Sequence, residues 1–262
     1  MIMVDIELTQ LLQAGLIFLL GLLLRALFRQ SPNIAENVED QYDRIADQYD
    51  DDWALYVNST VKAAISQFKA QFTTDELQSP SLSVLDIGCG TGAFVAGLAE
   101  RYPNWSYTGV DLSENMLKRA RKKHPAFHFV KASAEDLSSF EDSSFDIVIT
   151  LSSLHFWDNP AVGLREAKRV SKKYVIVSDW AHDFLSCKFC GWYLWFRGFA
   201  KNDWSILSSK DLKLLFSMTG LTLKSPIQLY QIDLHPLNYK FIPKWGMMFA
   251  VGIKNNIDHA NK

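Results

Sequence analysis

Val84-Leu85-Asp86-Ile87-Gly88-Cys89-Gly90-Thr91-Gly92 is the stretch on which the reading of this chain turns. Val84 to Ile87 is a mostly apolar run suited to a buried strand. Three glycines at alternate positions then make a turn, and a helix is expected from about Ala93. Glycine takes positive φ without steric cost and lets a ligand lie against the main chain. A strand–turn–helix of this kind holds nucleotide-containing ligands, and Gly88-x-Gly90-x-x-Ala93 meets the loose dinucleotide pattern. Asp86 changes the emphasis. A carboxylate inside the strand end suits a cationic ligand group and suits a pyrophosphate poorly. Asp111 closes the next strand, YTGVDL, where an acid can accept both hydroxyls of a ribose. ASAEDL and then FDIVITLSS place polar groups and an apolar wall where an adenine ring would lie.

Outward from this motif, strand-like and helix-like segments alternate. SVLDIG, YTGVDL, FHFVKAS, FDIVITLSS and KYVIVSDW read as strands, and FVAGLAERY, ENMLKRARKKH and AVGLREAKRV as helices between them. Apolar strands alternating with helices predict a mostly parallel sheet covered on both faces. SSKDLKLLFSMTG predicts a further helix with Ser209 near its start and Gly220 as its stop, followed by strands in LKSPIQLYQI and WGMMFAVGI. Upstream, residues 53–72 predict a helix with Trp53, Tyr56, Val57, Val61, Ala64, Ile65 and Phe68 along one side. Before it, the acidic run ENVEDQYDRIADQYDDDW sets Tyr42 and Tyr49 seven residues apart, on similar faces of a helix.

The N-terminal segment has a different character. Leu8 to Phe28 is an apolar run with leucine on every helical face, broken by Thr9, Gln10, Gln13 and Arg25. As a helix it spans about 31 Å, close to the ~30 Å hydrocarbon core of a bilayer. Arg25 and Arg29 follow the run while Asp5 and Glu7 precede it. The expectation is a single-pass membrane anchor over residues 1–30, with the rest of the chain on the cytoplasmic side. Ser31-Pro32 ends that helix and opens a linker, residues 31–41.

Bulk composition excludes several alternatives. In 262 residues, 48% are hydrophobic and the formal net charge is -2, so no basic stripe invites nucleic acid. Three cysteines do not make a disulfide framework, and Cys187 and Cys190, a C-x-x-C pair without a second pair, read as packed thiols. No His/Cys/Asp cluster has metal-ligand spacing, so no metal is expected.

VLDIGCGTG, GVDLSENML, AEDLSSFEDSSFDIV and LREAKRV occur in this order and at a shared spacing. On them, the chain resembles the class I S-adenosylmethionine-dependent methyltransferase superfamily, in its small-molecule branch. The resemblance covers about residues 42–180 well and the remainder more loosely. It implies a Rossmann-like α/β fold: a seven-stranded, mostly parallel sheet with helices on both faces, over a domain of residues 42–262. It implies S-adenosylmethionine as cofactor, whose amino group suits Asp86. Gly88, Cys89 and Gly90 would line its methionine and ribose, and Asp111 would hold the ribose hydroxyls. Leu112 and Met116 would flank the adenine, Ser133, Ala134 and Glu135 would border its edge, and Leu151 and Ser152 would close the site. Tyr42 and Tyr49 fall where relatives often carry a lid helix. Two departures stand out. Ser133 replaces a common Asp, for which Glu135 or Asp136 would substitute, and Ser171-Lys172-Lys173 replaces a common Pro-Gly-Gly turn.

Methyl transfer from a sulfonium is mainly in-line displacement, and a base is needed only where the acceptor must lose a proton. His155, after the fourth strand, is the candidate base. Trp157, Asp158, His182 and Asp183 are weaker candidates for facing the acceptor. Residues 184–204 form an insert dense in Phe, Trp and Tyr, read as an apolar acceptor cover or a second membrane contact. The expected activity is methyl transfer to a small, lipophilic acceptor at a membrane. Its rivals are a membrane-tethered scaffold that binds cofactor without turnover and an NAD(P)-dependent oxidoreductase.

Overall fold

The structure is a computed structural model that describes residues 37–77, 81–184, 206–232 and 245–254. The chain enters through α1 (Val38–Asp52), α2 (Ala54–Gln71) and the single turn α3 (Thr74–Leu77). Then come β1 (Ser83–Ile87), α4 (Ala93–Ala99), β2 (Ser106–Asp111), α5 (Glu114–Lys123), β3 (His128–Lys131) and β4 (Phe145–Leu151). A 3₁₀ turn at Leu154–Phe156 leads to α6 (Pro160–Val170) and β5 (Ser171–Trp180). The described C-terminal part holds α7 (Ser209–Met218), β6 (Leu221–Leu223), β7 (Gln228–Ile232) and β8 (Trp245–Lys254).

The helix starts follow local chemistry. The Asn37 side chain accepts from the Asp40 amide, Ser113 from Met116 and Asn159 from Val162. Each satisfies an orphan donor of a first turn, and Pro160 sits at the first helical position, where its missing N–H costs nothing. Ser208, one residue before the expected Ser209, caps α7 in a reciprocal box with Asp211.

Among the described residues the sheet runs β3-β2-β1-β4-β5-β8-β6, with β7 also on β8. β1 to β5 are parallel, and β8 lies antiparallel to β5. The expectation of seven strands, mostly parallel, is therefore corrected to a mixed sheet of eight. The extra strand comes from the edge beyond β8. LKSPIQLYQI, residues 223–232, was expected as one strand; β7 is its second half, while β6 ends where it begins, at Leu223, and the two pair separately with β8, at Trp245–Phe249 and Gly252–Lys254. Between them lies Pro226, which has no N–H to give to a ladder. Ser171-Lys172-Lys173, read as a turn, is instead the start of β5: Ser171 pairs with Phe145 across a register shift and is fully buried.

Side-chain alternation splits the core into two layers. Leu85, Ile87, Val148, Val175 and Val177 pack with Leu164, Leu212 and Phe216 from α6 and α7. Val84, Ile147, Ile149 and Ile176 face the other way, onto Phe68, Phe94, Leu98 and Leu117 from α2, α4 and α5. Each such side chain contributes about 1.5–3 kcal/mol by leaving water, so both faces must be covered. That explains why these strands read as continuous apolar runs.

The expected anchor, residues 1–30, lies outside the described residues, as does all of the aromatic insert except Phe184 and all of the C-x-x-C pair. Among the described residues no helix is long and apolar enough to cross a membrane. α1 begins at Val38, within the segment read as linker.

Candidate active site

β1 has β2 on one side and β4 on the other, so the chain order reverses there and the connections leave a crevice at the strands' carboxyl ends. The glycine turn fills its floor. The amides of Gly88 and Cys89 both donate to the Val110 carbonyl, at 2.8 and 3.0 Å, which ties the turn to β2. Gly90 has φ +53°, and a Cβ there would project into open space with nothing within 4 Å. The turn presents bare backbone to the crevice at this point, which is what a closely approaching ligand requires.

Two carboxylates flank the turn. Asp111 accepts from the Gly90 amide at 2.8 Å and from the Ser113 amide at 2.9 Å, so its two oxygens are aimed by the loop and by the start of α5. Burial raises its pKa, against those two hydrogen bonds. Asp86 is 1% exposed, and its Oδ1 has no hydrogen-bond partner. Burial, and secondarily the charge of Asp111, pushes its carboxyl up to about 8. A buried acid of this kind is best satisfied by a cation entering the crevice.

α1 lies across the opening. Asp43 accepts from the Ser113 hydroxyl and from the Asn115 amide, the latter at 3.0 Å, while Asn115 donates back to the Asp43 carbonyl at 3.2 Å. Asp50 accepts from Thr91 at 2.7 Å and pairs with Lys123 at 3.1 Å. These ties turn Tyr42 and Tyr49 inward, with their rings 6.1 Å apart. The acidity of α1 thus serves more than solvation, because it binds the basic helix α5.

Together these elements enclose a cavity of about 630 Å³, well within the range of small-molecule sites. All twelve residues named above for the cofactor line it, as do His155, Tyr42, Tyr49, Trp157 and Asp158. Three other candidates do not line it. Asp136 accepts from the Ser138 amide, the His182 amide donates to Leu207, and Asp183 accepts from the Ser209 amide and hydroxyl. Glu135 lines the cavity, but its carboxylate already accepts from the Asn159 amide at 2.6 Å.

The sequence reading missed part of the lining. Trp53, just ahead of α2, Tyr56 of α2 and Trp180 from the end of β5 also line the cavity. Trp180 stacks on His155 with ring centroids 4.7 Å apart, and its indole N–H donates to the Tyr56 hydroxyl at 2.6 Å. Tyr56 donates in turn to Ser152 Oγ at 2.8 Å. Ser152 has φ +53°, an uncommon conformation for a non-glycine residue. His155 is 3% exposed, and its Nδ1 lies 2.6 Å from Oδ1 of Asp179, a residue 2% exposed. Asp179 ends a strand as Asp86 and Asp111 do, and that repeated pattern was the available signal. Among the described residues no group of three His, Cys, Asp or Glu side chains could hold a metal ion.

Residues 85–177, which span β1 to β5, match the family described as a methyltransferase domain. That match makes residues 85–177 a methyltransferase domain, and the fold and the glycine turn are similar to those of the class I S-adenosylmethionine-dependent methyltransferases. S-adenosylmethionine is the cofactor of this class. Among curated relatives, the chain is 30% identical over 143 residues to demethylmenaquinone methyltransferase of Chlorobaculum tepidum, covering 52% of this chain and 55% of that protein. It is 34% identical over 99 residues to 2-methyl-6-phytyl-1,4-hydroquinone methyltransferase 1 of rice, Oryza sativa subsp. japonica, covering 37% and 30%. The match thus spans about half the length of these relatives, or less. Among solved structures, a methyltransferase of Thermotoga maritima aligns with TM-score 0.60 and 23% identity, covering 82% of this chain and 98% of that one. Magnesium protoporphyrin IX methyltransferase of Synechocystis, solved with S-adenosylhomocysteine, aligns at 0.53 and 17%, covering 84% and 89%.

Proposed function

We propose that this protein transfers the methyl group of S-adenosylmethionine to a small lipophilic acceptor at a membrane. The observation that carries the reading is a single cavity lined by the glycine turn, Asp86 and Asp111 together with aromatic side chains and His155. The glycine turn and the two carboxylates fit the cofactor. Asp86, with its unpartnered buried oxygen, would take the ammonium of the methionine part. The bare backbone at Gly90 would lie along the ligand, and Asp111 would accept the ribose hydroxyls. Leu112 and Met116 would flank the adenine, with Ser133 to Glu135 at its edge. When bound, S-adenosylmethionine supplies a methyl group on a positively charged sulfur.

The aromatic side chains offer flat apolar walls, which suit a lipophilic acceptor. The curated relatives act, by their names, on a demethylmenaquinone and on a phytyl hydroquinone, both lipophilic. The apolar run Leu8–Phe28 would anchor the chain at the bilayer where such an acceptor dissolves, with the domain on the cytoplasmic face.

Methyl-labelled S-adenosylmethionine incubated with the protein and a total membrane lipid extract is the direct test. Label should enter the organic phase with wild type. With Gly90→Val it should not, because a β-branched side chain at positive φ both strains the turn and fills the ligand's space. Tight binding of S-adenosylhomocysteine without labelled lipid would favour a scaffold over an enzyme.

A further inference from the structure

The cavity wall carries an arrangement that cofactor binding does not use. Asp179, at the end of β5, turns both oxygens toward the loop after β4: Oδ1 lies 2.6 Å from His155 Nδ1, and Oδ2 accepts the His155 amide at 3.2 Å. Oδ1 also accepts the Trp180 amide at 2.6 Å. A buried carboxylate at that distance makes Nδ1 the protonated nitrogen and leaves Nε2 as the basic one. Trp180 stacks on the ring at an interplanar angle of 19°, which fixes its orientation. A second chain of hydrogen bonds runs beside it. An indole can only donate, so the series Trp180 to Tyr56 to Ser152 has one direction, and the Ser152 hydroxyl hydrogen is left to donate into the cavity it lines.

We propose that His155, positioned by Asp179, takes a proton from a phenolic hydroxyl of the acceptor. The inference rests on the methyl-transfer reading above and names its substrate class. In the step, the O–H bond of the acceptor breaks, an N–H bond forms at Nε2, and the electron pair stays on the acceptor as its nucleophile. Asp179 then faces an imidazolium, and the pair's charges balance.

Among acceptors that react through oxygen, acidity selects a phenol. A carboxylic acid is already ionised at neutral pH and needs no base. A phenol, near 10, lies about 3.5 pH units above an ordinary histidine near 6.5. An aliphatic alcohol, comparable to water near 16, lies too far away for an imidazole to help. The walls agree with a flat ring, since Trp53, Tyr56, Phe156 and Trp180 all line the cavity. The other ionisable groups bearing on Asp179 are Tyr42 from α1, Tyr56 from α2 and Tyr230 from β7. Burial raises all three phenols, so they stay neutral and do not compete for the proton.

The test uses full-length protein saturated with S-adenosylhomocysteine and a chromogenic probe, a 2-alkyl-4-nitrophenol, whose phenolate band is followed against pH. Burial alone would push the probe's ionisation to higher pH. A proton acceptor at the hydroxyl should instead shift it at least one pH unit below its value in water, a tenfold gain in phenolate at a given pH. His155→Gln should abolish that shift, Asp179→Asn should shrink it and Asp179→Glu should restore part of it. A wild-type probe that binds but ionises at or above its free value overturns the proposal, as does an unchanged shift in His155→Gln. Failure of the probe to bind while calorimetry still shows S-adenosylhomocysteine binding overturns the phenol class and leaves the cofactor reading standing. Loss of S-adenosylhomocysteine binding by wild type overturns the methyl-transfer reading itself.

Discussion

A single buried carboxyl carries opposed demands on stability and binding. Burial and the nearby charge of Asp111 hold the folded-state carboxyl of Asp86 at about 8, while an unfolded one titrates near 4. The folded chain therefore holds a proton that the unfolded chain releases above about pH 4. Stability attributable to this group is complete below that pH and declines as pH rises to about 8, by on the order of a few kcal/mol. Asp86→Asn should accordingly raise the melting temperature of cofactor-free protein at pH 8 by several degrees and flatten its fall between pH 5 and 8. The same substitution should weaken S-adenosylhomocysteine binding at least tenfold. Wild-type affinity should climb with pH up to about 8, because the bound form needs the ionised carboxylate. Calorimetry in buffers of different ionisation enthalpy would detect the released proton, and a melting temperature in the variant that is unchanged or lower would remove Asp86 from this role. The residue itself was legible in VLDIGCGTG. The unpartnered state of its Oδ1 was not, because the surroundings of a buried oxygen are a property of the folded interior.

Among the elements, α1 is the one whose sequence conceals its task. Its acidic face reads as solvated, yet Glu39 pairs with Lys131 at 2.6 Å and Asp47 with Arg119 at 3.3 Å, besides the ties of Asp43 and Asp50. Exposed pairs are individually worth well under about 1 kcal/mol and are screened by salt. The network therefore makes a cover that can open, and its closure should depend on ionic strength. The release rate of S-adenosylhomocysteine should rise several-fold between 50 mM and 500 mM salt. Asp50→Ala should raise it at low salt and blunt the salt effect, as followed by stopped-flow tryptophan fluorescence. A release rate indifferent to both would make α1 a fixed wall. The heptad spacing of Tyr42 and Tyr49 was visible in sequence, but only packing against α5 shows which way the rings face. The same distinction applies at the far edge, where QLYQI was read within a strand but LTL was not, and only the pairing with β8 makes LTL a strand.

At the scale of the whole molecule, every strand of the described sheet follows Leu8–Phe28 in the chain, beginning with β1 at Ser83. A chain starting at Ser31 should therefore fold and bind S-adenosylhomocysteine with wild-type affinity, whereas the full chain should sediment with membranes and resist alkaline carbonate. Aggregation of the shortened chain without binding would show that Leu8–Phe28 belongs to the core. The sequence alone determined the alternation of apolar strands and helices, the glycine turn and the acids that end β1 and β2. Each of these rests on local rules: backbone freedom at glycine, hydrophobic period, and the neighbourhood of a strand end. Tertiary structure decided what those rules cannot reach. Tyr56 meets Ser152 and Trp180 across 96 and 124 residues of chain, and Asp179 meets His155 only because β5 lies beside β4. A hydrogen bond needs its atoms within about 3 Å, and over such separations only the packed sheet brings them there.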